Sequence, residues 1–531
     1  MSAKRLAIIG AGSSGLVTLK HALDGLPGWE ITCFEKSSRT IGVWGNPYPG
    51  FASTSTKYTT QFSCFRKWDT ETDPAQRPDK GDFFRDDEYG LYLEEFVRRF
   101  DLAPHIWLNT AITRIVKESS GWRISIDGGI EETFDRLIIC TGLTAKAKTI
   151  DTEIRCLRSF DDPVENQTVV VFGGGESAAD VAHRLARPSL GNTVYLSLKN
   201  GIRVSPRYHP IRGVPSDFLR NRLLLSIRQD IRNAIGQKFV EARIRHQECF
   251  EKFFKSPPPT SLPSTAMEKR KHWDAKLTAR AKDELFNTFH TKSDDFLDDV
   301  AEDRIHIIGP PADGTYRRYA DFDGISTLDL EPDALCPMIG YSPSFDAMFD
   351  GTIHVRDFHL GCLHTVHDDL FLIGHARPVI GNIPTISEMQ ARFVVSVIAG
   401  KTPRPPDIAA LHAAERRRME TDFPHLNTTS IHPVEMFPYC DHLARMMGTF
   451  PSLRKTGSLK RWVKIQLAPS STTHYLDNDF SPAETDALKI HSPALIVFLL
   501  VIVKALEPLF GKLKRQPPAK DRLYKTNYET P

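Results

Sequence analysis

At 531 residues, with 40% apolar and 25% charged side chains, the chain has the composition of an ordinary folded protein, with enough length for two or three buried cores. Lys plus Arg total 68 and Asp plus Glu total 66, and the resulting net charge of +2 excludes a global basic field directed at nucleic acid. Eight scattered cysteines form no C-x-x-C pair, which excludes a redox dithiol and indicates neither a disulfide framework nor a metal site; reduced thiols in a cytoplasmic setting are expected.

The N-terminal stretch "MSAKRLAIIGAG" runs directly into a strand and a glycine loop, leaving no segment with the layout of a signal peptide. Leu6–Ile9 are apolar β-formers, followed by Gly10-x-Gly12-x-x-Gly15 and a helix-like continuation. In this pattern Gly10 makes the tight turn, Gly12 lets the backbone approach a pyrophosphate and Gly15 lets the helix pack closely on the strand. The phosphates then meet the free N–H groups and positive dipole end of the helix. Glu35 ends "ITCFE", twenty residues beyond Gly15, where a carboxylate accepts from ribose hydroxyls and repels a 2′-phosphate. This half therefore suits FAD or NAD rather than NADP.

"WRISIDGGIEETFDRLIICTG" predicts a hairpin turning at Asp127-Gly128, then a buried strand ending at Thr141-Gly142. A second glycine loop follows in "VVVFGGGESAAD", with Gly173, Gly175 and Ala178 at the same spacing. Its next strand, "TVYLSLKN", ends without an acid and offers Ser197 and Lys199, with Arg203 and Arg207 downstream. A hydroxyl and cations in place of the carboxylate are what a 2′-phosphate requires. The economical reading of two such loops is two different dinucleotides, FAD on the first and NADPH on the second, and hence hydride transfer to a flavin.

From Asp217 to His290 the chain is charged and helix-like, interrupted by the Pro-rich 256–264. Lys292 and Asp294 in "FHTKSDDF" read as a cleft lining or, more simply, as a helix cap. "RIHIIG" at 304–309 reads as a strand returning to the first domain, and His375 follows "LFLIG" at a strand end where doubly wound folds place ligands. Near the C-terminus "PALIVFLLVIV" is eleven residues without a charge, too short for a span of about 20. With Lys504, Lys512, Lys514 and Arg515 behind it, an interfacial anchor on a membrane surface is expected, against the alternative of packing on the protein.

The predicted fold class is α/β. Two Rossmann-type dinucleotide-binding domains are expected, the NADP domain inserted into the FAD domain, with a C-terminal apolar helix. The expected boundaries are 1–163 and 304–470 for the FAD domain, 164–303 for the NADPH domain with its helical insert, and 485–531 for the apolar helix and polar tail.

Taken together, "AIIGAGSSGL", "CFEKSSRTIGVW", "FDRLIICTG", the second glycine loop and "GNIPTISEMQARFVVSVIAGK" resemble the flavin-containing monooxygenases over nearly the whole chain. The resemblance implies a class B flavoprotein monooxygenase: NADPH reduces FAD, the flavin traps O2 as a C4a-hydroperoxide, and a soft nitrogen or sulfur of a small molecule is oxygenated. It implies that Gly10, Gly12, Gly15, Glu35, Trp44, Thr141, Gly142 and Arg392 serve FAD, that Gly173, Gly175, Ser197, Lys199 and Arg207 serve NADPH, and that Thr54 and Gln390 lie at the reacting flavin. It also implies a cytoplasmic catalytic body attached to a membrane of the endoplasmic-reticulum type through the C-terminal segment. Three departures mark a divergent member. Thr54 stands where the family places an asparagine, the linker "IDTEIRCLRSFDDP" lacks the family's His, Gly and Tyr, and Met338-Ile339-Gly340-Tyr341 replaces A-T-G-Y. Other outcomes consistent with the sequence are Baeyer–Villiger oxygenation of a ketone, an uncoupled NADPH oxidase and a non-catalytic nucleotide-binding protein at a membrane.

Overall fold

The computed structural model describes residues 3–45, 50–68, 81–144, 146–157, 164–209, 213–254, 262–281, 284–312, 314–319, 327–342, 345–475, 488–511 and 513. The end of the linker, most of the Pro-rich segment, and Lys512, Lys514 and Arg515 lie outside them. The chain divides into two compact units, one of Met1–Lys146, Asp217–Ser226 and Tyr341–Lys504, the other of Ala147–Ser216, Ile227–Gly340 and Ala505–Pro531.

The first unit is built on a seven-stranded sheet. Its inner strand Arg5–Ile9 pairs in parallel with Glu30–Phe34 on one side and the central strand Arg136–Ile139 on the other. Leu370–Leu372 extends the parallel run beyond Arg136–Ile139, and Phe358–His359 and Leu363–His364 close that edge in antiparallel fashion. Strands buried on both faces need continuous apolar runs, which "LAII", "ITCF" and "LFL" supply. A three-stranded meander, Ile112–Glu118, Gly121–Ile126 and Ile130–Phe134, turns through Gly128 and Gly129, both at positive φ, as the Asp-Gly signal predicts.

The second unit repeats the plan with five parallel strands in the order Arg155–Cys156, Ala334–Pro337, Thr168–Phe172, Thr193–Ser197, Ile305–Ile308. Three sequence expectations change here. The strand in "RIHIIG" does not return to the first sheet but pairs with Thr193–Ser197, and the second unit runs from Ala147, with Arg155–Cys156 in its sheet, to Gly340 rather than from 164 to 303. Ile305, Ile307 and Ile308 are buried in the second unit's core, so a run that is equally apolar in either sheet is claimed by the nearer one. Asp217–Ser226, expected in the helical insert, belongs instead to the first unit, where Arg222 is buried and paired with Asp441 at 3.1 Å.

In both sheets the glycine-loop strand lies between its sequence successor and a strand from much later in the chain. That is the switch point at which doubly wound sheets open a crevice. A helix spans Ala494–Leu506 with Leu495, Phe498 and Leu499 exposed, and no described helix is long and apolar enough to cross a membrane.

Candidate functional site

At the end of Arg5–Ile9, Gly10 has φ of +101° and a Cβ there would stand 2.7 Å from the Cys140 carbonyl oxygen. The next strand's end therefore passes directly over the loop, bringing Thr141 and Gly142 to it, as the sequence implies. At Gly15 a Cβ would lie 1.7 Å from the Gly10 oxygen, so the helix Ser13–Gly25 packs on the loop at a distance only glycine allows. Gly12 caps that helix without any side-chain hydrogen bond and faces Gly42, whose own Cβ would approach the Gly12 Cα at 3.0 Å. Gly42, at φ of +55°, is a member of the site that spacing rules pass over, because its partner lies thirty residues earlier in the chain.

Glu35 is buried at the end of Glu30–Phe34. Its Oε2 accepts from the Ala11 N–H at 2.7 Å, and Oε1 accepts from the Ser37 N–H at 2.9 Å and hydroxyl at 2.6 Å. The carboxylate is thus locked beside the loop, each oxygen keeping a further lone pair for a ribose hydroxyl. Thr141 Oγ1 is buried with no hydrogen-bond partner among the described residues, and a buried hydroxyl in that condition is costly unless a ligand satisfies it. Trp44 sits on a 3-10 turn, edge-on to Tyr89 at 4.7 Å and Phe51 at 5.7 Å. A bare helix N-terminus, a glycine pair in close approach, a fixed carboxylate and an unsatisfied hydroxyl together fit a dinucleotide.

Behind the loop, the helix Ile383–Ile398 lies against Ser13–Gly25, and Ser14 and Ser387 hydroxyls meet at 2.9 Å. Gly374, at φ of +88°, is pinned by Ser14, whose Oγ would meet its Cβ at 2.4 Å. Gln390 is fully buried: its Oε1 accepts from the Gly374 N–H at 3.0 Å, and its Nε2 donates to the Tyr439 hydroxyl at 2.8 Å and the Gly361 carbonyl at 3.4 Å. Its amide positions the strand end at Gly374. Arg392, half-buried, reaches the Met389 sulfur at 3.5 Å. Thr54 lies half-buried in the strand Ala52–Thr56, two residues before Thr56, whose N–H donates to Asp217 at 3.0 Å.

His375 is fully buried, edge-on to Phe345 at 5.2 Å. Burial holds its imidazole down at about 4, partly offset by the backbone at Ile373 and Gly142, so it is neutral at physiological pH. Burial likewise pushes the Cys140 thiol up to about 12, leaving no thiolate beside the loop. One buried acid escaped the sequence reading. Glu388 has no exposure and sits among Ser63, Thr472 (2.7 Å) and His21 (3.7 Å). Burial would raise it, but His21 and Ser63 outweigh this and hold it at about 2.

The second loop copies the first. Gly173 has φ of +127°, and its Cβ would stand 2.3 Å from the Met338 carbonyl oxygen, so "MIGY" passes over this loop as "CTG" passes over the other. Gly175 caps the helix Glu176–Leu185 with no side-chain bond, and a Cβ on it would meet nothing within 4 Å. The two registers then separate the predicted residues. Gly10 N–H donates to Phe34 O at 2.7 Å, and Gly173 N–H to Ser197 O at 3.3 Å, so Ser197 corresponds to Phe34 and buried Leu198 to Glu35. The Ser197 hydroxyl donates to the Gly309 carbonyl at 3.1 Å, inside the sheet. Lys199, next along, is exposed at the strand end. Arg207 is buried, its N–H donating to Asp294 at 2.9 Å and its guanidinium 3.7 Å from the same carboxylate. Asp294 thus holds the Arg207 segment rather than capping the helix Phe296–Ala301, a task that Ser293 performs at 3.2 Å. Arg203 donates to Gln237 at 2.9 Å. A cleft of about 450 Å³ lined by Arg114, Trp122, Phe349 and His367 includes none of these loop residues.

The flavin-binding monooxygenase-like family model matches residues 3–261. A 4-hydroxybenzoate brominase (decarboxylating) of Marinomonas mediterranea is 25% identical over 495 residues, covering 86% of this chain and 85% of that protein. The rat (Rattus norvegicus) dimethylaniline monooxygenase [N-oxide-forming] 2 is 25% identical over 510 residues, covering 89% and 88%. Among solved structures, a cyclohexanone-bound cyclohexanone monooxygenase superposes with a TM-score of 0.55 at 16% identity, over 84% of this chain and 98% of that one. S-allyl-L-cysteine S-oxygenase from Allium sativum does so with a TM-score of 0.52 at 17% identity, over 96% and 100%. These structures share the α/β fold described above.

Proposed function

We propose, for a chain that belongs to the flavin-binding monooxygenase-like family and is a flavin-dependent monooxygenase, that it oxygenates a soft nitrogen or sulfur of a small molecule, with FAD on the first loop and NADPH on the second. When bound, FAD supplies the redox chemistry, taking a hydride from NADPH and delivering electrons to O2. The observation that carries the assignment of the loops is their difference at one position. Glu35, held by Ala11 and Ser37, suits a free ribose, whereas Leu198 removes that carboxylate and leaves the exposed Lys199 beside it for a 2′-phosphate.

The protein's own share is binding, orientation and exclusion of water. Gly10, Gly12 and Gly15 admit the pyrophosphate to the helix N-terminus, Thr141 and Gly142 cover it, Trp44 walls the flavin side, and Gln390 holds the Gly374 turn beneath. Neutral His375 and the protonated Cys140 thiol keep the surroundings free of competing charge, as an oxidant that must be shielded from protons requires. Thr54 and Arg392 are proposed to face the reacting ring, with Gly173, Gly175 and Lys199 framing the nicotinamide dinucleotide, while Ser197 and Arg207, turned to Gly309 and Asp294, support that strand end from within the fold. The two-domain plan, with the NADP domain inserted in the FAD domain, follows from the two loop-bearing sheets.

Stopped-flow reduction by NADPH followed by oxygen tests this reading. A transient that persists until a thioether or tertiary amine is added supports it, and immediate return to oxidised flavin with H2O2 release refutes it. Similarity to the brominases supports a second reading, attack on an electron-rich phenol, and bromide in the same assay separates the two. Eight free cysteines suit a reducing cytoplasmic setting. The exposed apolar residues of Ala494–Leu506 suit contact with a membrane surface, as an anchor that lies on the lipid rather than crossing it.

A further inference from the structure

At the edge of the first unit's sheet, remote in sequence from both glycine loops, three histidines gather around one carboxylate. Glu415 lies on the helix Ile408–Asp422, one turn after His412. His359 comes from the edge strand Phe358–His359 and His432 from the strand His432–Glu435. His359 Nδ1 is 2.8 Å from Glu415 Oε2, and His412 Nδ1 is 3.7 Å from the same oxygen. His432 Nε2 stands 3.4 Å from the other oxygen, Oε1. The Leu360 N–H donates to Oε2 at 2.9 Å.

The orientation of His412 is fixed by its other side. Its Nε2 lies 2.8 Å from the Arg356 carbonyl oxygen, which only accepts, so Nε2 carries a hydrogen and Nδ1 is the nitrogen left for a ligand. That Nδ1 is buried with no hydrogen-bond partner among the described residues. It faces a carboxylate oxygen across a gap too long for a hydrogen bond, with a second imidazole nitrogen on the same oxygen. Two imidazole nitrogens and a carboxylate oxygen, all within 4.8 Å of one another, converge so that a cation can sit between them.

We infer that His359, His412 and Glu415 form a site for a divalent transition-metal ion of the zinc class, with His432 as the positioning residue that holds the second carboxylate oxygen. Bonds of about 2.0–2.1 Å in a tetrahedron set donor atoms about 3.3 Å apart, and the separations of 2.8 and 3.7 Å bracket that value, so small side-chain shifts complete the geometry. The Arg356 carbonyl and His432 are the outer partners that such ligands ordinarily keep. His412 and Glu415 are partly exposed, which gives an entry path and a fourth position for water. Glu415 also joins the floor of the flavin site through short contacts: Leu360 N–H to Glu415, Tyr439 hydroxyl to Leu360 O at 2.6 Å, and Gln390 Nε2 to Tyr439. The ion's task is structural, tying the helix to the sheet edge beneath Gln390.

The full-length chain, stripped with EDTA and equilibrated with Zn2+ at micromolar concentration and neutral pH, is examined by elemental analysis and X-ray absorption at the zinc edge. One zinc per chain is expected, with nitrogen and oxygen neighbours at about 2.0 Å, imidazole outer-shell scattering and no sulfur. His412→Ala and Glu415→Gln each weaken binding on the order of 100-fold or more, and His432→Ala about 10- to 100-fold. Failure of the unmutated chain to retain zinc overturns the site. So does a sulfur shell near about 2.3 Å, the sign of thiolate ligation as at the His21, Cys64 and Glu388 cluster. Equal affinity in folded His412→Ala and wild type also overturns it. The absorption spectrum of the wild-type chain decides the matter even where a variant does not fold.

Discussion

The two glycine loops are built to one plan and differ at two points. In each, a later strand lays a carbonyl oxygen over the first glycine, Cys140 at 2.7 Å and Met338 at 2.3 Å from where a Cβ would be. In the first loop the third glycine is indispensable, because a Cβ on Gly15 would fall 1.7 Å from the Gly10 oxygen; in the second, Ala178 occupies that place and lies buried. The second helix therefore stands further from its loop. The other difference is Glu35 against Leu198. The backbone scaffold is thus duplicated, while the side chain at the end of the second strand, a carboxylate in one loop and an apolar group in the other, is the one proposed to select the nucleotide.

The largest effect that would break the comparison is at Gly15. Gly15→Ala is expected to abolish flavin retention, giving a colourless protein, whereas Gly175→Ala, with nothing within 4 Å of its Cβ, is expected to fold and stay yellow while its Michaelis constant for NADPH rises. Flavin retained by Gly15→Ala would mean that the first helix does not need the close approach to Gly10. Next comes the pH response. His375 has a folded-state value of about 4 against an ordinary 6.5, so the unfolded chain binds the extra proton first. Its contribution is present above about pH 6.5 and is lost as the pH falls toward 4, on the order of 3 kcal/mol in all. Flavin release followed by fluorescence should rise across that window, and His375→Phe should flatten the profile. A profile unchanged by that substitution would remove His375 from the account.

Much of this was readable from the chain. The apolar runs before Gly10 and Gly173, the glycine spacing and the carboxylate at Glu35 are local signals, and the structure builds the loops from them. What the sequence hides is register and long-range pairing. Ser197 reads as a ligand because it ends a strand, yet the hydrogen bond from Gly173 shows it one position short, facing Gly309. Arg207 reads as a free cation until Asp294, far along the chain, is found against it. "RIHIIG" is apolar enough for either sheet, so its pattern does not choose between them. The histidines around Glu415 come from three separate elements and leave no spacing motif at all.

Lys199→Ala sharpens the contrast at the second strand end. An exposed lysine facing a 2′-phosphate is worth about 1.4 kcal/mol, or tenfold, so its loss should raise the Michaelis constant for NADPH about tenfold and leave that for NADH nearly unchanged. Arg207→Ala is expected to lower thermal stability as well, because it empties a buried side-chain site and removes the guanidinium beside Asp294. If NADPH and NADH suffer alike from Lys199→Ala, then Leu198 marks only the absence of an acid and the phosphate is held elsewhere.

The smallest effect belongs to Ala178→Gly, which gives the second loop the glycine spacing of the first. The substitution removes a buried methyl group and puts glycine into the helix Glu176–Leu185, at a cost of about 1 kcal/mol. For a unit of this size that lowers the melting temperature by about 2–4 °C, measured by calorimetry. NADPH binding should change less than about twofold, since 0.4 kcal/mol is the most that a displaced but intact helix N-terminus is expected to lose. The third position then serves helix packing and not the ligand. A collapse of NADPH affinity in Ala178→Gly, with the fold intact, would show instead that the wider spacing of the second helix is what fits the loop to its nucleotide.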